Sequence, residues 1–201
     1  MPEVYVIDDD EGIRRSLTFL LRSAGSLVRT YDSAAEFLRE ADQLAPGCVI
    51  TDVRMPDMDG LELVRQLKAA NLPMAAIVIT GHGDIPLAVE AMKVGAVDFI
   101  EKPFRDDVLL GAVDKALSRG APGPRAEADV GDEGMRALFA ALSPREREVL
   151  GSVVLGKTNK MIARDFAISP RTVEVHRASV MMKTGARTLS ELVRMALLAK
   201  F

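Results

Sequence analysis

Five short runs rich in valine and isoleucine alternate with helical patterns across the first 118 residues, and this alternation limits the folds open to the chain. The runs are "VYVI" (Val4–Ile7), "LVRTY" (Leu27–Tyr31), "CVIT" (Cys48–Thr51), "AIVIT" (Ala76–Thr80) and "VDFI" (Val97–Ile100). Their lengths and residue types are those of strands. Between and after them, apolar residues recur at helical spacing, as in Ile13, Leu17, Leu20 and Leu21, or Leu61, Leu63, Val64 and Leu67. Five such βα units predict a parallel sheet with helices on both faces. In open sheets of this kind, ligands bind outside the carboxyl ends of the strands.

At those ends stand Asp8 and Asp9, Asp52, Thr80 and Lys102. Three carboxylates at one sheet edge repel one another unless a cation joins them. Oxygen donors without paired His or Cys favour a hard ion such as Mg²⁺. A divalent ion beside a carboxylate shields it and clamps an incoming phosphoryl group. Lys102 can hold the opposite side of that group, and the Thr80 hydroxyl can donate to one of its oxygens.

Several neighbours have plainer readings. Asp10 and Glu11 suit the start of a helix, where the dipole welcomes negative charge. Pro56 and Gly60 read as turn and helix-entry residues, His82 as loop polarity, and Cys48 as core packing. A single cysteine also rules out an internal disulfide and suits a reducing cytoplasm. No apolar run approaches the roughly 18 residues of a membrane span, and Met1–Asp10 is too acidic for a signal peptide.

Charge divides the chain. Residues 1–118 hold 12 Lys+Arg against 20 Asp+Glu (−8), and residues 139–201 hold 11 against 5 (+6). Between them, "SRGAPGPRAEADVGDEG" (Ser118–Gly134) is rich in glycine and proline and reads as a linker. We set the boundaries at 1–118, 119–138 and 139–201. The third segment shows four helical stretches. "SPREREVLGSVVLG" opens with Ser143 as N-cap, Pro144 behind it and Glu146 three after the cap. "TNKMIARDFA" and "PRTVEVHRASVMMKTG" follow around a tight turn, and "TLSELVRMALLAK" ends the chain. Two short helices joined by a tight turn, the second bristling with basic residues, fit a helix-turn-helix, and the cluster of Lys157, Lys160, Arg164, Arg171, Arg177, Lys183 and Arg187 suits phosphate contacts. The plainer alternative is a small bundle with a solvated basic face.

The four stretches "VIDDDEG", "TDVRMPDMDG", "VITGHGD" and "DFIEKPF" resemble the signatures of bacterial response-regulator receiver domains. "LSPREREVL", "GKTNKMIA" and "ISPRTVEVHR" are similar to the LuxR-type DNA-binding domain. Together they are the layout of the NarL/FixJ family of two-component response regulators. The resemblance implies a flavodoxin-like receiver followed by a four-helix helix-turn-helix domain. It makes Asp52 the phosphoacceptor, and it gives Mg²⁺ to Asp8, Asp9, Asp52 and the Arg54 backbone carbonyl. Thr80 becomes the switch hydroxyl, Lys102 the phosphate-sensing lysine, Phe99 the aromatic that swings inward, and Lys102–Pro103 a cis peptide. It further implies a cognate histidine kinase, receiver dimerisation through Ile85–Ile100, restraint of the DNA-binding half before phosphorylation, and transcriptional activation with RNA polymerase. Relatives of this kind are tied to nitrogen-fixation genes, although no residue here encodes oxygen or nitrogen.

On the DNA side, helical spacing turns Val173, Val180 and the stem of Arg177 toward the core, and Arg171, Glu174, Val175 and Ala178 toward the groove. The resemblance places base contacts at Glu174, Val175 and Ala178, and phosphate contacts around Asn159, Lys160, Thr172 and Lys183. Glu174 can accept from cytosine N4, and Val175 can touch a thymine methyl. Two other classes fit these residues less well. "DDDEG" resembles the nucleophile motif of haloacid-dehalogenase-type phosphatases, but Gly12 stands where that motif wants Thr or Val, and Asp52 is left without a role. A phosphorylation-dependent module binding RNA through its basic half lacks stacking aromatics, since residues 142–201 offer only Phe166 and Phe201, and Phe166 reads as core.

Overall fold

The computed structural model describes residues 3–81, 85–120 and 132–201; His82 and linker residues 121–131 lie outside them. The chain forms two compact units: Met1–Gly83 with Val94–Pro124, and Asp84–Lys93 with Arg125–Phe201.

The first unit is built on five parallel strands: β1 (Glu3–Ile7), β2 (Leu27–Tyr31), β3 (Gly47–Asp52), β4 (Met74–Thr80) and β5 (Asp98–Glu101), in the order β2-β1-β3-β4-β5. Its helices are α1 (Glu11–Ser23), α2 (Ala34–Glu40), α3 (Gly60–Ala69) and α5 (Asp106–Gly120). Side-chain alternation along β1 shows why both faces are covered. Val4 and Val6 bury with Leu17 and Leu21 of α1 and Leu109 and Val113 of α5. Tyr5 turns the other way and meets Phe37 of α2, ring centroids 5.7 Å apart. β5 begins one residue later than its apolar run and includes Glu101, which pairs with Thr80.

The helix starts follow their caps. Asp10 accepts from the Gly12 and Ile13 amides, and Asp59 from Glu62. Each supplies an acceptor to the unsatisfied amides of a first turn.

The second unit contains α4 (Ile85–Lys93), α6 (Asp132–Ala140), α7 (Pro144–Val154), α8 (Asn159–Asp165), α9 (Pro170–Thr184) and α10 (Leu189–Leu198). Ile85, Val89 and Met92 of α4 bury in one cluster with Val149, Val153, Ile162, Val173 and Val193. The stretch Ile85–Ile100, expected above as a dimer face, is therefore divided between the two units. Helix α6 begins within the stretch read as linker and runs two residues past its end. Phe139 explains it, since its ring is buried with Leu142, Leu150 and Val180. Ser143 closes the expected capping box: its hydroxyl accepts from the Glu146 amide, and its own amide donates to the Glu146 carboxylate. Gly185 ends α9 at φ 75°, a left-handed position that favours glycine.

Candidate functional site

The order of the sheet reverses between β1, which pairs with β2 on one side, and β3 on the other. Such a switch point opens a crevice at the carboxyl edge. Register puts Ile7 beside Thr51, Asp52 beside Ile79, and Thr80 beside Glu101. Asp8, Asp52, Thr80 and Lys102 are thus carried to one edge by four adjacent strands.

Lys102 gathers the two carboxylates. Its Nζ donates to Asp52 Oδ1 at 2.7 Å and to Asp8 Oδ2 at 3.2 Å. Asp8 is 2% exposed, Asp52 9% and Thr80 1%. The outer oxygens are held too: Asp52 Oδ2 accepts from the Arg54 amide at 2.7 Å, and Asp8 Oδ1 from the Asp10 amide at 2.9 Å. Burial pushes the Asp8 carboxyl above the ordinary carboxylate range, against the pull of the Asp10 amide and Lys102. Burial works against the Lys102 ammonium as well, but hydrogen bonds and charge from Asp52 and Asp8 outweigh it and hold its pKa above normal. Two carboxylates around one ammonium leave the cluster one negative charge in excess when all three are ionised.

Asp9 is exposed, and among the described residues no three His, Cys, Asp or Glu side chains assemble as a metal-binding group. The donor set still fits Mg²⁺, which keeps several waters and takes only one or two carboxylates. Phe99 is half-buried on β5 beside Val78, and Lys102–Pro103 is cis. Arg14 escaped the sequence reading. Its Nη1 donates to the Asp8 carbonyl at 2.6 Å, from one turn inside α1.

In the second unit, α8 and α9 flank a tight turn containing Ala167 at φ 53°. Val173 and Val180 are buried, while Arg171, Glu174, Val175 and Ala178 are exposed along one side of α9. Lys160 is exposed, and Thr172 is half-buried, its amide donating to the Ser169 cap at 3.0 Å. Three expected DNA contacts are engaged elsewhere. Arg177 Nη1 donates to Asn159 Oδ1 at 2.9 Å, so these two residues hold each other across α8 and α9. Lys183 Nζ meets Glu146 Oε2 at 2.7 Å. Hydrogen bonds from Lys183, Ser179 and the Ser143 amide hold the Glu146 carboxyl down at about 2. Met182, 78% exposed and four residues beyond Ala178, extends the open side of α9 and was missed.

A switch-point crevice of two aspartates and a lysine, joined in one chain to a helix-turn-helix, defines a response regulator that acts on DNA. The family models agree: "Response regulator receiver domain" matches residues 4–114, and "Bacterial regulatory proteins, luxR family" matches residues 140–196. The chain belongs to the LuxR-type transcriptional response regulators. It is similar to the transcriptional regulatory protein FixJ of Bradyrhizobium diazoefficiens, with 52% identity over 196 residues, covering 98% of this chain and 95% of that one. The crystal structure of full-length FixJ from B. japonicum matches with TM-score 0.59 and 50% identity, over 99% of this chain and 97% of that one. The beryllofluoride-activated NtrC4 receiver domain dimer, solved in solution, matches with TM-score 0.57 and 35% identity, over 60% of this chain and all (100%) of that one.

Proposed function

We propose that Asp52 accepts a phosphoryl group from a sensor histidine kinase and that this modification turns on sequence-specific DNA binding. The observation that carries the reading is the single ammonium of Lys102 shared by Asp52 and Asp8 at the switch point. Asp52 Oδ2, oriented by the Arg54 amide, is the attacking oxygen. Asp8, Asp9, Asp52 and the Arg54 backbone carbonyl would hold Mg²⁺, and the ion would supply charge stabilisation for phosphoryl transfer. Lys102 then exchanges its bond to Asp52 Oδ1 for one to a phosphoryl oxygen, and the Thr80 hydroxyl donates to another. Phe99 follows Thr80 inward, which biases the receiver toward a partner copy. The chain catalyses no reaction beyond its own phosphotransfer and the slow loss of that group.

Dimerisation is supported by the NtrC4 receiver dimer, and its face on this chain by resemblance alone. Two joined copies meet two half-sites on duplex DNA, each raising the other's effective concentration. Arg171, Glu174, Val175 and Ala178 enter the groove, with Lys160 and Thr172 on phosphates. Activation of nitrogen-fixation genes with RNA polymerase, in the cytoplasm, is proposed from the family resemblance alone. No helix among the described residues is long and apolar enough to cross a membrane. Treating the wild type and Asp52→Asn with acetyl phosphate and Mg²⁺ tests the site. Intact mass should show one added phosphoryl group on the wild type and none on the variant. Equal modification of both would refute the assignment.

A further inference from the structure

We propose that Gly60 is a positioning residue for the phosphoacceptor, acting through the backbone carbonyl of Asp52. This deepens the reading above and rests on Asp52 being the residue modified. A Cβ at Gly60 would stand 2.1 Å from the Asp52 carbonyl oxygen, 3.0 Å from its carbon and 2.9 Å from Thr51 Oγ1. Real Cβ atoms do not come so close, and the atoms met first are backbone, which cannot swing aside. Gly60 is not among the left-handed residues, so the site demands space and not an unusual dihedral.

The surrounding bonds show what this closeness achieves. The Gly60 amide donates to the Val53 carbonyl at 3.0 Å, and the Val53 amide donates to Ile79 of β4 at 3.1 Å. The Thr51 hydroxyl donates to the Asp52 carbonyl at 3.0 Å. Asp59 caps α3 directly before Gly60. The first turn of α3 therefore rests on the Asp52 peptide unit and closes the loop 53–60, whose Arg54 amide orients the Asp52 carboxylate. A side chain at position 60 must lift α3 from that peptide or push Asp52 away. Either movement shifts the attacking oxygen relative to Lys102, and a misplacement of about 1 Å can cost about 10²-fold in rate.

Gly47 supplies a control on the same strand. A Cβ there would stand 2.5 Å from the Glu3 carbonyl oxygen and 2.9 Å from the Tyr5 ring, a comparable clash at the opposite end of β3. The experiment compares Gly60→Ala and Gly47→Ala with the wild type in the full chain. It reads thermal midpoints, the rise of the midpoint with Mg²⁺, and acetyl-phosphate modification of Asp52 by intact mass, well below every midpoint. Both variants should melt earlier. Only Gly60→Ala should lose about tenfold or more in modification rate, together with most of its Mg²⁺-induced rise. A destabilised Gly60→Ala chain modified within about twofold of wild type, or a Gly47→Ala chain slowed equally, would overturn the proposal. If Gly60→Ala does not fold, Thr51→Val takes its place, because it withdraws the hydroxyl from the same carbonyl without adding volume. A severalfold slower rate supports the proposal, and an unchanged rate overturns it. A wild-type chain modified elsewhere or not at all would instead overturn the reading of Asp52 itself, and the proposal with it.

Discussion

Removing the ammonium of Lys102 should expose the electrostatic conflict that it now masks. Asp8 Oδ2 and Asp52 Oδ1 both reach Nζ, so they share one counter-charge at close range. Two carboxylates about 5–6 Å apart repel by about 3 kcal/mol at an effective dielectric near 20. Breaking a buried pair from one side costs about 3–5 kcal/mol. Lys102 is 21% exposed, and water reaching the vacated space places the loss at the lower end. Lys102→Ala should therefore lose about 3 kcal/mol at a pH near 8 without Mg²⁺, roughly 10 °C in the receiver transition. The sign with pH follows from Asp8, whose folded-state pKa already lies above the ordinary range and rises further once Lys102 is gone. The folded variant then binds a proton more tightly than the unfolded chain does. Its deficit should shrink as pH falls through that raised pKa and should be largest above it. Mg²⁺ should also narrow the gap by supplying the missing positive charge. Thermal and urea unfolding of both proteins near pH 8 and pH 5, with and without Mg²⁺, reads all three effects. A deficit that is absent, or equal at both pH values and indifferent to Mg²⁺, would refute the reasoning.

The second unit gives a sharper test of which cations touch DNA. Lys183→Met should lower the melting point of that unit while leaving the salt dependence of DNA binding unchanged, because Glu146 already engages Lys183; Arg171→Ala should reduce the log–log salt slope by about 1. Glu146, held at about 2 by its hydrogen bonds, contributes stability that is complete above the ordinary carboxylate pKa and fades as pH falls through about 2, so Glu146→Gln should remove that acid-sensitive component. Glu174→Ala should relax preference at one base pair by about 1–3 kcal/mol without abolishing binding, seen by competition with altered duplexes. Cys48, fully buried with its thiol pushed up to about 12 by burial, should resist iodoacetamide in the folded chain and react only on unfolding.

The parallel sheet was legible because Val4–Ile7, Cys48–Thr51 and Ala76–Thr80 are buried on both faces and so read as unbroken apolar runs. Once those strands are parallel, topology alone carries Asp8, Asp52, Thr80 and Lys102 to one edge, which explains why residues so far apart in sequence could be grouped. The helix cap at Ser143 and the acidic helix start at Asp10 were equally local signals. What escaped depends on the reach of long side chains. Helical spacing says which way Arg177 and Lys183 leave α9, but not that one curls back to Asn159 and the other to Glu146. Arg14 likewise bonds a backbone carbonyl, which no side-chain pattern advertises. Helix α6 was obscured by the glycines and charges before it, and its anchor, Phe139, finds its partners only in three dimensions. In sequence Gly60 reads as a helix-entry residue; that its missing side chain leaves room for the Asp52 carbonyl is visible only once β3 and α3 are in place.

In the function proposed above, phosphorylation at Asp52 governs DNA recognition by the helix-turn-helix. Selecting bound duplexes from a random pool, with and without acetyl phosphate and Mg²⁺, tests it most directly. A motif with two half-sites should be enriched in the phosphorylated sample, and that enrichment should be lost in Asp52→Asn. Equal enrichment with and without acetyl phosphate would contradict it, leaving a DNA-binding protein whose receiver does not control it.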